Sequence, residues 1–160
     1  MLVPVVWEQV ILFGEAHDEY WSQTVYDALK AVCPAEAFER GAQRLKGFQA
    51  GAGTVLFFED EATVRGLQEQ IALYADRFSQ WSTHSSGMAQ INVWTALEKA
   101  GLGANLQHYG NLTNEALAER YDLPKDWKLH AELVFGKALE PAGKKTYIVD
   151  EQRFRIYGDE

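Results

Sequence analysis

Ser85-Ser86-Gly87-Met88-Ala89-Gln90-Ile91-Asn92-Val93-Trp94-Thr95-Ala96-Leu97-Glu98-Lys99-Ala100-Gly101-Leu102-Gly103-Ala104-Asn105-Leu106-Gln107-His108-Tyr109 is the stretch on which the fold turns. It reads as one helix over about 85–100, with serine as its N-cap and glycine as its stop. Met88, Ile91, Val93, Trp94, Ala96 and Leu97 place apolar surface around most of its circumference, the pattern of a helix buried on all sides. Beyond Gly101 and Gly103 the chain enters a short apolar turn that ends on the polar side chains of Gln107, His108 and Tyr109. A turn held by a buried helix suits the flat edge and face of a heterocycle.

Working outward, Gly53-Thr54-Val55-Leu56-Phe57-Phe58-Glu59-Asp60 is the clearest strand. It is β-branched and aromatic and apolar on both faces, as in the middle of a covered sheet. Residues 9–14 form a short apolar run stopped by glycine and predict another buried strand. Residues 127–136 alternate and then turn apolar, and residues 153–158 alternate, so both predict strands. Helical spacing is present over 15–32, ended at Pro34, and more weakly over 35–50, where Phe38, Leu45 and Phe48 share a side. A helix over 61–74 carries Val64, Leu67 and Ile71, and a short one over 114–121 has Thr113 as its N-cap. Pro4, Pro34, Pro124 and Pro141 all fall at element boundaries. Three or four strands among five helices predict an α+β layered fold.

Composition narrows the functional classes. At 160 residues the chain has the length of one domain, predicted to span 1–160, and such a domain buries roughly 68–70% of its unfolded surface. No apolar run reaches the ~20 residues of a bilayer span. Residues 1–6 lack a basic start and a small-residue cleavage site, and Cys33 is the lone cysteine, so a reducing cytoplasm is the expected setting. The net charge of −8 argues against nucleic acid and against an anionic membrane as partners.

Several chemistries find no support. His17, His84, His108 and His130 show no metal-ligand spacing, so no metal is expected. Gly51-Ala52-Gly53 lacks the third glycine of a dinucleotide fingerprint and precedes a strand. There is no nucleophile elbow, and Cys33 has no evident base. Glu59, Asp60 and Glu61 stand at a strand end leading into a helix, where acids complement the helix N-terminus. Tyr74, Phe78 and Trp81 recur at helical spacing and read as a stripe of core or of subunit interface.

The segment Gly101-Leu102-Gly103-Ala104-Asn105-Leu106-Gln107-His108-Tyr109 resembles the FMN-dependent nitroreductases, in particular a fungal and bacterial branch carrying G-L-G-A-x-L-Q-H-Y. The similarity runs from about residue 9 to residue 158. The resemblance implies a mixed, mainly antiparallel sheet flanked by helices, in a homodimer built on the central helix. It implies FMN as cofactor and NADH or NADPH as reductant, with hydride passing through flavin N5 in ping-pong fashion to a nitroaromatic or quinone. The flavin would carry the chemistry, and no side chain is assigned as catalytic. Gln107, His108 and Tyr109 would face the flavin, with a backbone N–H near His108 approaching N5. One of Lys144 and Lys145 would meet the FMN phosphate, and Tyr74, Phe78 and Trp81 would shape the substrate slot.

The resemblance also brings two motifs that this sequence does not contain, an Arg-Arg-Ser type for the phosphate and ribityl chain and a Pro-Ser-x-x-Asn-x-Gln type for the ring. Hence a second expectation stands beside the reductase: a short, flavin-poor relative acting as a non-catalytic dimeric or ligand-binding protein.

Overall fold

The computed structural model describes residues 7–141 and 143–158. Four strands form one antiparallel sheet in the order β1-β2-β4-β3: β1 Trp7–Phe13, β2 Gly53–Asp60, β3 Gly103–Gln107 and β4 Trp127–Gly136. The helices are α1 Gly14–Glu19, α2 Val25–Val32, α3 Ala35–Gln49, α4 Glu61–Gln70, α5 Phe78–Lys99, α6 Gly110–Tyr121 and α7 Asp150–Arg153. The architecture is the α+β class expected, and β2 and β4 have the bounds that their apolar runs predict.

The two faces of the sheet bury separate cores. Leu12, Leu56, Phe58, Leu129 and Val134 face α1–α3 and α6, where they meet Tyr20, Trp21, Val25, Leu45, Phe48 and Leu117. Val55, Phe57, Ala131, Leu133 and Phe135 face α4 and α5, where they meet Val64 and Phe78. Alternation along β2 sends successive side chains to opposite cores, which is why this strand is apolar throughout.

Two irregularities decide where polar groups go. Between α1 and α2 the residues Tyr20–Thr24 form a π-helical turn. Its wider winding lets the consecutive Tyr20 and Trp21 both point inward, at 2% and 0% exposure. In β4 the register slips opposite Phe57 and Phe58, leaving His130 as the extra residue of a β-bulge between Leu129 and Ala131.

Several local expectations are corrected. The central helix α5 begins at Phe78, not Ser85, and Ser85 Oγ donates to the Trp81 carbonyl 3.1 Å away inside it. Within the single chain this helix is not buried on all sides: Met88 and Ile91 are each 58% exposed, while Phe78, Ser82 and Ser86 turn inward. Gly101 does end the helical run in the left-handed region, at φ 79°. Residues 103–107 then form strand β3 and not a turn, because β4 offers them its free edge. Helix α6 starts at Gly110, so Thr113 is a buried interior residue and not a cap. Residues 154–158 pair with no strand, and α7 takes Asp150–Arg153, so the expected terminal strand is absent among the described residues. Asp60 caps α4, accepting from the Ala62 and Thr63 N–H groups at 3.0 and 3.3 Å. Pro4 lies outside the described residues.

Candidate functional site

The end of β3 and the start of α6 meet over β4, and the fit is tight because residue 110 is glycine. A Cβ there would lie 2.1 Å from the Leu129 carbonyl oxygen, so a side chain would lift α6 off the strand. Past Gln107, β3 no longer covers β4, and the side chain of Asn114 takes over. Its Oδ1 accepts from the Leu129 N–H at 2.6 Å and its Nδ2 donates to the Trp127 carbonyl at 3.3 Å. Helix α6 thereby supplies the bonds that a neighbouring strand would have made.

Glu132 lies beneath this junction, at 0% exposure in mid-strand opposite Leu56 and Gln107. Both its carboxylate oxygens accept from the Tyr109 N–H at 3.0 Å, and Oε1 accepts from the Tyr20 hydroxyl at 2.9 Å. Thr113 Oγ1 donates to the Tyr109 carbonyl at 3.2 Å and lies 3.2 Å from the Tyr20 hydroxyl. Burial pushes the Glu132 carboxyl above its ordinary range, against the pull of the Tyr109 N–H and the Tyr20 hydroxyl. Burial, with the nearby Glu132 charge, raises the Tyr20 phenol well above its usual value.

The turn above this network opens on a cleft of about 690 Å³, within the range of ligand sites. His108, Gly110, Asn111, Lys125, Trp127 and His130 line it, among others. The N-terminus of the 12-residue helix α6 forms part of its wall, an orientation favourable to negative charge. Of the lining ammonium groups, Lys128 lies 3.3 Å from Glu61.

On the opposite face of the sheet Glu59 is buried with a second polar set. It accepts from Ser82 Oγ, while Trp7 Nε1 donates to the Ser82 carbonyl at 2.9 Å. His130 Nε2 stands 3.5 Å from Glu59, too far for a good hydrogen bond. Burial lowers the His130 pKa, and the Glu59 charge opposes that shift.

The expected site residues divide into those that line the cleft and those that do not. Of Gln107, His108 and Tyr109, His108 is exposed in the cleft, while Gln107 bonds Asn105 and the Tyr109 ring sits edge-on to Trp21 at 5.8 Å. The Tyr109 N–H is committed to Glu132 and faces inward. Lys144 and Lys145 are exposed on an irregular segment and do not line the cleft. The aromatic stripe is contiguous but only half buried: Trp81 packs on Tyr74 at 5.7 Å and on Phe78 at 5.4 Å between ring centroids, with Phe78 3% exposed in the core and Tyr74 and Trp81 at the surface.

Sequence reading missed Glu132, Tyr20, Asn114 and His130. Lys128, His130 and Glu132 alternate with apolar neighbours as the wet side of a strand would. The one signal was an acid inside the otherwise apolar run 131–135.

Comparison with known proteins places the chain. The family model described as Nitroreductase family matches residues 7–137. HBN1 of Saccharomyces cerevisiae is 39% identical over 143 residues, 89% of this chain and 69% of its own length. The nitroreductase FRM2 of the same yeast is 34% identical over 139 residues, 87% of this chain and 67% of its own. Among solved structures, the nitroreductase CinD of Lactococcus lactis in complex with chloramphenicol is 49% identical. It superposes with a TM-score of 0.86 over 95% of this chain and 77% of its own.

Proposed function

The chain belongs to the nitroreductase family, and we propose that it works there as an FMN-dependent NAD(P)H oxidoreductase acting on nitroaromatic or quinone substrates. The observation that carries this reading is the preset His108–Tyr109 corner after β3, with His108 in the wall of the cleft.

The residues present suit a planar polar heterocycle with an anionic tail. Trp127 offers an aromatic wall, Asn111 and His108 offer edge donors and acceptors, and the α6 N-terminus with Lys125 offers positive potential. When bound, FMN would supply the two-electron exchange between nicotinamide and acceptor that no side chain here can perform. The chain's own part is to orient and enclose. The turn fixes the ring edge, and the α6 wall with Lys125 favours the phosphate. Lys144 or Lys145, outside the cleft in the single chain, would add a charge-assisted bond to it once their segment is packed in the dimer.

The same reading makes the working form a homodimer in the cytoplasm. Met88 and Ile91 on α5, together with Tyr147, Ile148, Phe154, Ile156 and Tyr157 in the last described stretch, expose apolar surface that a second copy would bury. In that assembly Tyr74 and Trp81, exposed on each chain, would border the substrate slot. CinD has been solved in complex with chloramphenicol and with 4-nitrophenol, which supports a small aromatic acceptor for this relative.

The test is the visible spectrum of the purified protein after FMN is added and the excess removed by gel filtration. A flavin band that travels with a dimer and bleaches on adding NADH or NADPH is the expected result. Absence of retained flavin at saturating FMN would instead leave a non-catalytic dimeric or ligand-binding member of the family.

A further inference from the structure

We propose that Glu132 is the positioning residue of the ligand-facing turn: from inside the sheet its carboxylate locks the peptide joining His108 to Tyr109 and so presets the edge that His108 offers to the cleft. The inference rests on the proposed use of that turn as a binding edge.

The first argument is cost. Glu132 is fully buried between two apolar layers, its strand neighbours on that face being Leu129 and Val134. A buried carboxylate is expensive, and a well-packed apolar residue of similar volume would serve the sheet as well or better. The second is where its bonds go. Both oxygens take the Tyr109 N–H, and the remaining partner is the Tyr20 hydroxyl, delivered to it by the π-helical turn. Nothing in the sheet's own ladder needs this side chain.

The third argument is geometric. The Tyr109 N–H belongs to the same planar unit as the His108 carbonyl, and in a trans peptide the two point in opposite directions. With the N–H drawn inward to Glu132, the His108 carbonyl is turned away from the core as a hydrogen-bond acceptor. The next peptide is fixed as well, since the Tyr109 carbonyl accepts from Thr113 Oγ1 and from the Leu112 N–H at 2.8 Å. Two consecutive peptides are therefore held by buried groups from β4 and α6, while the His108 side chain between turn and solvent stays free. Preset geometry of this kind lowers the ordering cost of binding.

The experiment measures backbone amide exchange by NMR on the full chain and compares the wild type with Glu132→Leu and Glu132→Gln. In Glu132→Leu the Tyr109 amide should exchange about 100-fold faster, as loss of a charge-assisted bond implies, while the Phe57 amide in central β2 keeps its protection. Glu132→Gln retains an acceptor oxygen and should restore most of the Tyr109 protection. Unchanged Tyr109 exchange in Glu132→Leu, or equal acceleration at Tyr109 and Phe57, would overturn the inference. Should Glu132→Leu not fold, the unbranched Glu132→Met, close in volume and without an acceptor oxygen, replaces it, with selective loss at Tyr109 again expected and uniform or absent loss counting against. A parallel FMN titration of the wild type separates the two readings. A protected Tyr109 amide in a chain that binds no FMN would refute the cofactor and leave the positioning role. An unprotected amide in a chain that binds FMN would do the reverse.

Discussion

Gln107–Tyr109 and the Lys144–Lys145 pair are assigned to the same cofactor by resemblance, yet the chain treats the corner 107–113 and the later stretch around the lysines in opposite ways. In the corner, Tyr109 has its N–H and carbonyl taken by buried groups, and Gly110 seats the helix against the Leu129 carbonyl. In the later stretch, Leu139, Tyr147, Ile148, Phe154, Ile156 and Tyr157 stand in solvent, and α7 is a lone turn of four residues. One region is determined within a single copy. The other has the composition of a buried segment without the burial, and is the surface that the second copy proposed above would cover. A site divided this way predicts that ring-edge geometry and phosphate affinity can be damaged independently.

The largest effect should come from breaking the corner at its tightest point. Gly110→Ala sets a Cβ against backbone and not against a yielding side chain, so we expect a loss of ~3 kcal/mol or more in unfolding free energy. Urea denaturation followed by tryptophan fluorescence checks it, and a loss below about 1 kcal/mol would show that α6 can lift from β4 at little cost.

A smaller effect, and one confined to binding, should follow from Lys144→Ala combined with Lys145→Ala. Both side chains are exposed, so folding stability should hold, while FMN affinity falls roughly 10- to 100-fold if one of the lysines meets the phosphate. Flavin fluorescence titration measures this. An unchanged affinity would remove these residues from the site and leave Lys125 and the α6 N-terminus as its positive potential.

How much of this was legible in the sequence depends on which atoms set each element. Strands β2 and β4 carry enough β-branched and aromatic surface to declare themselves, and the two-core architecture follows from them. Strand β3 is five residues of mixed polarity on a sheet edge, and only β4 makes it a strand. Residues 153–158 alternate as a strand should, but pairing needs a free edge, and they meet none. Gln107, His108 and Tyr109 are singled out by the motif alone. Their support is not, because it rests on a π-helical turn and a bulge, neither of which has a periodicity to read.

A control on the α4 side comes next in size. Asp60→Ala removes the acceptor of the Ala62 and Thr63 N–H groups and should cost about 1 kcal/mol, the usual value of an N-cap. Interactions of Asp60 in the fold, the Thr63 hydroxyl foremost, hold its carboxyl below the ordinary range. Its contribution is therefore present at neutral pH and disappears only as the pH falls through that lowered value.

The smallest effect tests the cleft wall from within. Burial lowers the His130 pKa from its usual 6.5, so between that value and the lowered one the folded chain binds fewer protons than the unfolded chain. Stability then rises with pH across this window and is lost as the pH falls through it, the opposite sense to a histidine held by an ion pair. Glu59 at 3.5 Å and Glu61 oppose the shift, Lys128 adds to it, and partial exposure screens them all. Denaturation midpoints at about pH 5 and about pH 8 should differ less in His130→Gln than in the wild type, whereas Lys144→Ala should leave that difference unchanged. An equal pH dependence in all three proteins would place the acid sensitivity outside the cleft wall, and a steeper one in His130→Gln would mean that Glu59 stabilises a protonated His130 in the fold.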